Sequence, residues 1–214
     1  MKKIVCLIVA VAMLTLALAA CGEKTPAESS TSSSSQTTSA TTSATTEATP
    51  VVPDPAFTGT VEEILDAVVA KAIELDDQEY GIGSIECTPT VVDEDRCESV
   101  LGLTEEEFAE YIEAAIESKP NGSWYTHSVV VIKLKDGVNV EEIANKIVAN
   151  TKPNRFGCLK PRAIVGSYMD NFVIFSASSE ETCEAVYSAV VALSKVTPTR
   201  IDRENDWSGG GLIG

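Results

Sequence analysis

The chain has 214 residues, with 32 acidic and 16 basic side chains and a net charge of −16 at pH 7. Such a balance repels phosphate backbones and anionic headgroups, which argues against nucleic acid as a partner. It suits cations, basic partners or plain solubility.

The first element is a processing segment. Lys2 and Lys3 form a positive n-region, Ile4 through Ala20 an apolar run, and Leu18-Ala19-Ala20-Cys21 has the form of a lipobox. Small residues suit the narrow cleft of a signal peptidase, and the Cys21 thiol is the nucleophile that accepts a diacylglycerol as a thioether. Residues 1–20 are therefore read as a signal peptide and Cys21 as the lipidated N-terminus. The alternatives are an ordinary cleaved signal or a transmembrane anchor. The 17 residues from Ile4 to Ala20 are at the lower limit for crossing roughly 30 Å of hydrocarbon. No basic cluster follows them, as a stop-transfer signal would require. The predicted place is the extracytoplasmic face of the cell membrane, with the membrane a partner through the lipid. Without residues 1–20, 14 basic residues face 32 acidic ones, a net charge of −18.

Residues 21–56 are predicted to be the lipidated cysteine and a disordered Ser/Thr/Pro-rich linker. Between Ser29 and Thr49, 16 of 21 residues are Ser or Thr, with no aromatic or large aliphatic side chain. Such a segment cannot bury enough apolar area to offset its ordering entropy. As a coil it averages about 30–35 Å end to end. Residues 57–203 are the predicted globular domain, and residues 204–214, with Gly209-Gly210-Gly211, a flexible tail.

Within the domain, Thr60-Val61-Glu62-Glu63 has the form of a capping box. Behind it Val61, Ile64, Leu65, Val68, Ala72 and Leu75 fall on one helical face. Thr104-Glu105-Glu106-Glu107 repeats the box, with Leu103 and Phe108 placed as a hydrophobic staple. Phe108, Tyr111, Ile112, Ala115 and Ile116 give that second helix its stripe, and Pro120-Asn121-Gly122 stops it. The β-branched run from Ser128 to Lys135 predicts a central strand covered on both faces. Asn139 caps a third helix with Val140, Ile143, Ala144, Ile147 and Val148 inward. Ala163 to Tyr168 and Phe172 to Ser178 form a hairpin turned by Met169-Asp170-Asn171. Ser178 with Glu181 caps a last helix, whose apolar face is Cys183, Val186, Val190 and Leu193.

The predicted order is α-α-β-α-β-β-α. A strand–helix–strand unit normally joins parallel strands, and the hairpin then adds an antiparallel one. The fold class read from this is α+β, a small mixed sheet of about three strands with helices packed on one face.

Placement outside the cytoplasm changes how the cysteines are read. Cys6 leaves with the signal and Cys21 carries lipid, so Cys87, Cys97, Cys158 and Cys183 are candidates for two disulfides. Of the three pairings, Cys87–Cys97 would close a short acidic loop, with Cys158–Cys183 the second bridge. Cys183, on an apolar helix face, also fits a buried free thiol. No CxxC pairing and a single histidine argue against zinc.

The acidic helix Leu103-Thr104-Glu105-Glu106-Glu107-Phe108-Ala109-Glu110-Tyr111-Ile112 precedes the strand Val129-Val130-Val131-Ile132-Lys133-Leu134-Lys135. Val140-Glu141-Glu142-Ile143 and the hairpin segment Tyr168-Met169-Asp170-Asn171-Phe172-Val173-Ile174-Phe175 follow. This succession resembles an uncharacterised family of Gram-positive lipoproteins defined by a domain of unknown function and widespread in clostridial lineages. The resemblance spans about residues 60–195, and the lipobox and Ser/Thr linker are similar too. It implies no activity and no site residue, and the Cys87–Cys97 segment departs from the family's pattern.

Chemical motifs are few. Hydrolytic triads need a base, and the sole imidazole, His127, reads as a strand-edge or surface residue. No glycine-rich loop follows a strand as a phosphate cradle would. Asp93-Glu94-Asp95 and Asp76-Asp77-Gln78-Glu79 lack the glycine and terminal glutamate of a calcium loop and read as solvated acidic loops. Trp124 and Tyr125 are candidate ligand contacts, placed to stack on a sugar ring or to pack as core. Trp207 is a second aromatic candidate, near the C-terminus. No metal, cofactor or catalytic residue is predicted. The expectation is a non-enzymatic interaction or sensing module of the envelope, contacting an envelope protein or glycan. The alternative is a solute-binding or wall-associated accessory protein with a small-ligand site.

Overall fold

The computed structural model describes residues 56–78, 81–122, 125–157 and 159–203. The signal, Cys21, the linker before Ala56, Trp124, Cys158, Trp207 and the glycine-rich tail lie outside the described residues. The described residues form five helices: α1 (Val61–Leu75), α2 (Glu94–Leu101), α3 (Glu105–Tyr111), α4 (Val140–Asn150) and α5 (Glu180–Leu193). Six strands accompany them: β1 (Cys87–Val91), β2 (Ile112–Pro120), β3 (Ser128–Leu134), β4 (Ala163–Met169), β5 (Phe172–Ser178) and β6 (Thr199–Asp202). Short 3-10 turns occupy Ile82–Ser84 and Pro153–Phe156. None of these helices is long and apolar enough to cross a membrane.

The class is α+β, as expected, but the sheet is larger and its pairing differs. Its order is β1-β2-β3-β5-β4-β6, and every neighbouring pair is antiparallel. The strand–helix–strand unit β3-α4-β4 does run its two strands in the same direction. They are not neighbours, because β5 folds back from the hairpin into the gap between them. Val131 pairs with Ile174 on one side, and Ile174 with Ser167 on the other.

Helices cover both faces rather than one. Alternation along β3 explains why: Val130 and Ile132 join the cluster of α4 and α2, while Val129 and Val131 join that of α1 and α5. All seven residues of β5 are buried, and in β3 only Lys133 is partly exposed. Each fully buried aliphatic or aromatic side chain contributes on the order of 1.5–3 kcal/mol, so a strand with two apolar faces demands two helical layers.

The capped helices form where their local signals lie. Glu63 N–H donates to Thr60 Oγ1 at 3.2 Å and Thr60 N–H to Glu63 Oε2 at 2.9 Å, completing the box of α1. Thr104 and Glu107 do the same for α3, at 3.3 and 3.1 Å. Asn139 caps α4. The cap of α5 is Ser179 rather than Ser178, receiving Thr182 N–H at 3.2 Å. Leu75 and Leu193, expected on apolar stripes, lie at helix ends and are exposed.

The second predicted helix is cut short. α3 stops at Tyr111 and the chain continues directly as β2, whose Ile116 and Ala115 pair with Val131 and Ile132. Glu113 is extra in this strand, since Ile112 pairs with Leu134 and Ala114 with Lys133. A bulge of this kind shifts the alternation by one residue. It therefore puts Ile112 and Ala115 on one face while Ile116 lies on the other, and with both faces buried the three apolar residues take the i, i+3, i+4 spacing that reads as a helix.

The segment expected to be an acidic loop is ordered as β1 and α2. Asp93 caps α2, accepting Arg96 N–H at 3.2 Å. Cys87 and Cys97 are separate thiols, not a bridge. Cys87 pairs with Pro120 at the start of β1, while α2 departs from that strand's other end, about 13 Å along. The Cys97 thiol is buried and donates to the Glu94 and Leu103 carbonyls at 3.0 and 3.4 Å. Cys183 is likewise a buried free thiol, on the Ala163 and Ser176 carbonyls; Cys158, its expected partner, lies outside the described residues.

Ala56, the last residue of the predicted linker, is tied into the fold. Ala56 is fully buried; its N–H donates to Asp170 Oδ2 at 2.5 Å and its carbonyl accepts Lys195 N–H at 3.1 Å. Asp170 itself takes φ 47° in the two-residue turn between β4 and β5, a conformation Asp tolerates better than most residues.

Gly102 ends α2 with φ 66°, and a Cβ there would lie 2.4 Å from the Asn150 carbonyl oxygen of α4. Both the left-handed backbone and the close approach require glycine. Gly102→Ala is expected to cost more than about 1 kcal/mol of unfolding free energy, measured by urea denaturation. A wild-type midpoint would refute this contact between α2 and α4.

Candidate functional site

At the Ser128 end of β3 the sheet, α2 and the Pro153–Phe156 turn enclose a cleft of about 580 Å³. One side is the face of β1 and β2 that carries Thr88, Thr90, Glu117 and Lys119, which the register sets opposite one another. Arg96 and Ser99 reach in from α2, Arg155 and Phe156 from the 3-10 turn, and Asn121 and Tyr125 from the β2–β3 connection.

Glu117 organises the floor. It is 2% exposed, and its carboxylate is held by two guanidinium groups. Arg155 Nη1 donates to Oε1 at 2.6 Å, and Arg96 Nη2 to Oε2. Ser128 Oγ donates to Oε1 at 2.8 Å and accepts from Arg155 Nη2 at 2.9 Å. Arg96 is fixed further by the Val91 carbonyl at 2.7 Å, and the Arg155 guanidinium lies 4.8 Å from the Phe156 ring centroid. Burial pulls Arg155 below its usual basicity, and the Glu117 charge opposes that shift; guanidinium groups nevertheless stay charged in proteins. The bulge at Glu113 turns Glu117 towards these partners.

The local charge runs against that of the whole chain. Three cations, Arg96, Arg155 and Lys119, line the cleft against one carboxylate. Arg155 Nε is buried without a hydrogen-bond partner among the described residues. Lys119 is exposed and has no ion-pair partner among them. Such a site offers donors and positive potential, the complement of a ligand rich in acceptor oxygens.

Tyr125, a predicted contact, does line this cleft and is 47% exposed; its neighbour Trp124 is outside the described residues. The arginines were not singled out by sequence reasoning. Their one signal was scarcity: isolated basic residues in an acidic chain, Arg96 following Asp93-Glu94-Asp95.

His127 is elsewhere and is buried, not at the surface. It precedes Ser128, so strand alternation points it to the opposite face, where Nδ1 lies 3.4 Å from Ser178 Oγ. Nε2 has no partner among the described residues. Desolvation lowers its pKa to about 4, against the opposing charges of Asp76 and Glu117. Asp76 Oδ2 accepts from Ile82 N–H and Thr182 Oγ1, both at 3.0 Å, tying α1 to α5 instead of lying in a solvated loop. Burial pushes the Cys183 thiol up to about 11 and raises that of Cys87, so both stay protonated and poorly nucleophilic near neutrality. No group of three or more His, Cys, Asp or Glu side chains among the described residues is placed to hold a metal ion.

Comparison with protein-family models, curated proteins and solved structures finds no match to this chain.

Glu117→Ala leaves two guanidinium groups facing a buried void, and is expected to cost about 3–5 kcal/mol. Lys133→Ala, which removes an exposed pair with Glu113 at 2.7 Å, should cost at most about 1 kcal/mol. Chemical denaturation of both variants checks the contrast; equal losses would mean that the Glu117 network contributes nothing special.

His127 predicts a pH dependence. Its folded pKa, about 4, is below the ordinary value of 6.5, so the unfolded chain binds a proton the native state refuses. The stability from keeping it neutral is full above 6.5 and is lost as pH falls towards 4, by about 3 kcal/mol in all. Between pH 6.5 and 5, before carboxylates dominate, His127→Gln should show a flatter fall in unfolding free energy than the wild type. Coincident slopes would place a charged imidazole in the native state.

Proposed function

We propose that the chain is a lipid-anchored, non-enzymatic protein of the extracytoplasmic envelope whose domain holds a small ligand in the Arg96–Arg155 cleft. Anchoring rests on the lipobox ending at Cys21 and the Ser/Thr-rich stretch behind it, in keeping with the resemblance to Gram-positive lipoproteins. An interaction or sensing module is the broader reading. The cleft favours the narrower one, a solute-binding or wall-associated accessory protein, because about 580 Å³ falls in the range of ligand sites. A non-enzymatic role is favoured by the withdrawal of the reactive groups: the described thiols are protonated and the imidazole lies across the sheet.

Cys21→Ala should leave the protein without lipid and release it from the membrane fraction; unchanged fractionation would overturn the anchor. A thermal-shift screen of the full-length chain with sugars, amino acids, organic acids and divalent cations tests the ligand. A rise with one class and its loss in Tyr125→Ala is the expected result. A flat response throughout would overturn the small-ligand reading, and turnover of wall glycans, esters or peptides would overturn the non-enzymatic one.

A further inference from the structure

We infer that the cleft selects a hydroxylated acid, a sugar or polyol bearing one carboxylate or phosphate group. This rests on the small-ligand reading above and specifies its chemistry.

Three observations converge on the acid group. The cleft carries two more positive charges than negative ones in a chain that is otherwise strongly acidic. Its buried carboxylate, Glu117, already satisfies part of both guanidinium groups, so it fixes their planes without neutralising the site. Arg155, with 9% of its side chain exposed, keeps its Nε without a hydrogen-bond partner among the described residues. A buried donor without an acceptor costs about 1–3 kcal/mol. An anion lodged against the arginines, with a small shift of the guanidinium, would supply acceptor oxygens there. Lys119 at the rim adds a second, movable donor.

The rest of the lining describes the ligand's body. Thr88, Thr90, Ser99 and Asn121 supply hydroxyl and amide groups, which match hydroxyls better than hydrocarbon. Tyr125 offers an aromatic ring at the mouth, suited to the C–H face of a sugar. The acidic exterior sharpens the choice. At physiological ionic strength charges are screened over about 8 Å, so a compact acid feels the local cations once inside. A polyanion spanning many such lengths meets the repulsive surface as well.

Isothermal titration calorimetry of the full-length chain in neutral detergent tests this with glucuronate, glucose 6-phosphate, glucose, inorganic phosphate and a neutral amino acid. Glucuronate or glucose 6-phosphate should bind at least tenfold more tightly than glucose and than inorganic phosphate. Raising NaCl from about 20 to 300 mM should weaken that binding. Lys119→Gln should weaken the acidic sugar roughly tenfold, and more than it weakens any binding of glucose. Tyr125→Ala should weaken both sugars. Neither substitution touches a buried group, so both variants should keep the wild-type melting temperature. Glucose binding as tightly as its acidic counterparts, or the amino acid alone binding, would overturn the acidic-sugar assignment and leave the small-ligand reading intact. Phosphate binding as well as the sugars would reduce the site to one for simple anions and likewise overturn the assignment. Silence from every compound here, together with a flat wider screen, would remove both.

Discussion

A strand with two apolar faces cannot be covered from one side, and β3 imposes that condition on everything around it. Val129 and Val131 need one helical layer, Val130 and Ile132 another. The pair α1 and α5 provides the first, α4 with α2 the second. Strand partners are then needed on both edges of β3, since its buried N–H and C=O groups have no water to turn to. β2 satisfies one edge and β5 the other.

The second edge explains a pairing that simple crossover logic misses. α4 carries the chain across β5's eventual place before β4 begins, and the tight Asp170-Asn171 turn folds β5 into the gap. Close packing holds α4 there: a Cβ on Gly166 of β4 would lie 2.5 Å from Val148 Cγ2. Thr151 Oγ1 donates to the Val100 carbonyl at 2.7 Å and Arg203 to the Thr151 carbonyl at 2.6 Å. The end of α4 is thus fastened to both α2 and the chain beyond β6.

What was legible in the sequence was what local physics decides. The capping boxes at Thr60 and Thr104 read directly, as did Asn139, the β-branched run of β3 and the β4–β5 turn, because each signal sits within a few residues. Residues 112–119 did not. Glu, Ala and Ile in that order favour a helix, but β3's open edge favours a strand, and tertiary pairing outweighs a propensity difference of tenths of a kcal/mol per residue. The Glu113 bulge and the burial of both faces concealed the outcome, since together they give a strand the apolar spacing of a helix. β1 and β6 were equally hidden: short, partly exposed edge strands carry little periodicity. The cleft inherits both difficulties. Its carboxylate lies on the misread strand, and its arginines are 59 positions apart in sequence, numbers 96 and 155, joined only by the fold.

Ala56 meets the domain at the Asp170 turn, beside the Leu134 end of β3, where Leu134 N–H donates to the Asn171 carbonyl. The cleft opens at the Ser128 end, so the two are separated by the length of that seven-residue strand, roughly 20 Å. The domain therefore has poles. A pull arriving through the preceding chain is borne by the hydrogen bonds of Ala56 to Asp170 and Lys195, and is passed into the turn and the end of α5. The arginine-lined mouth carries none of that load directly and lies at the other end of the strand from Ala56.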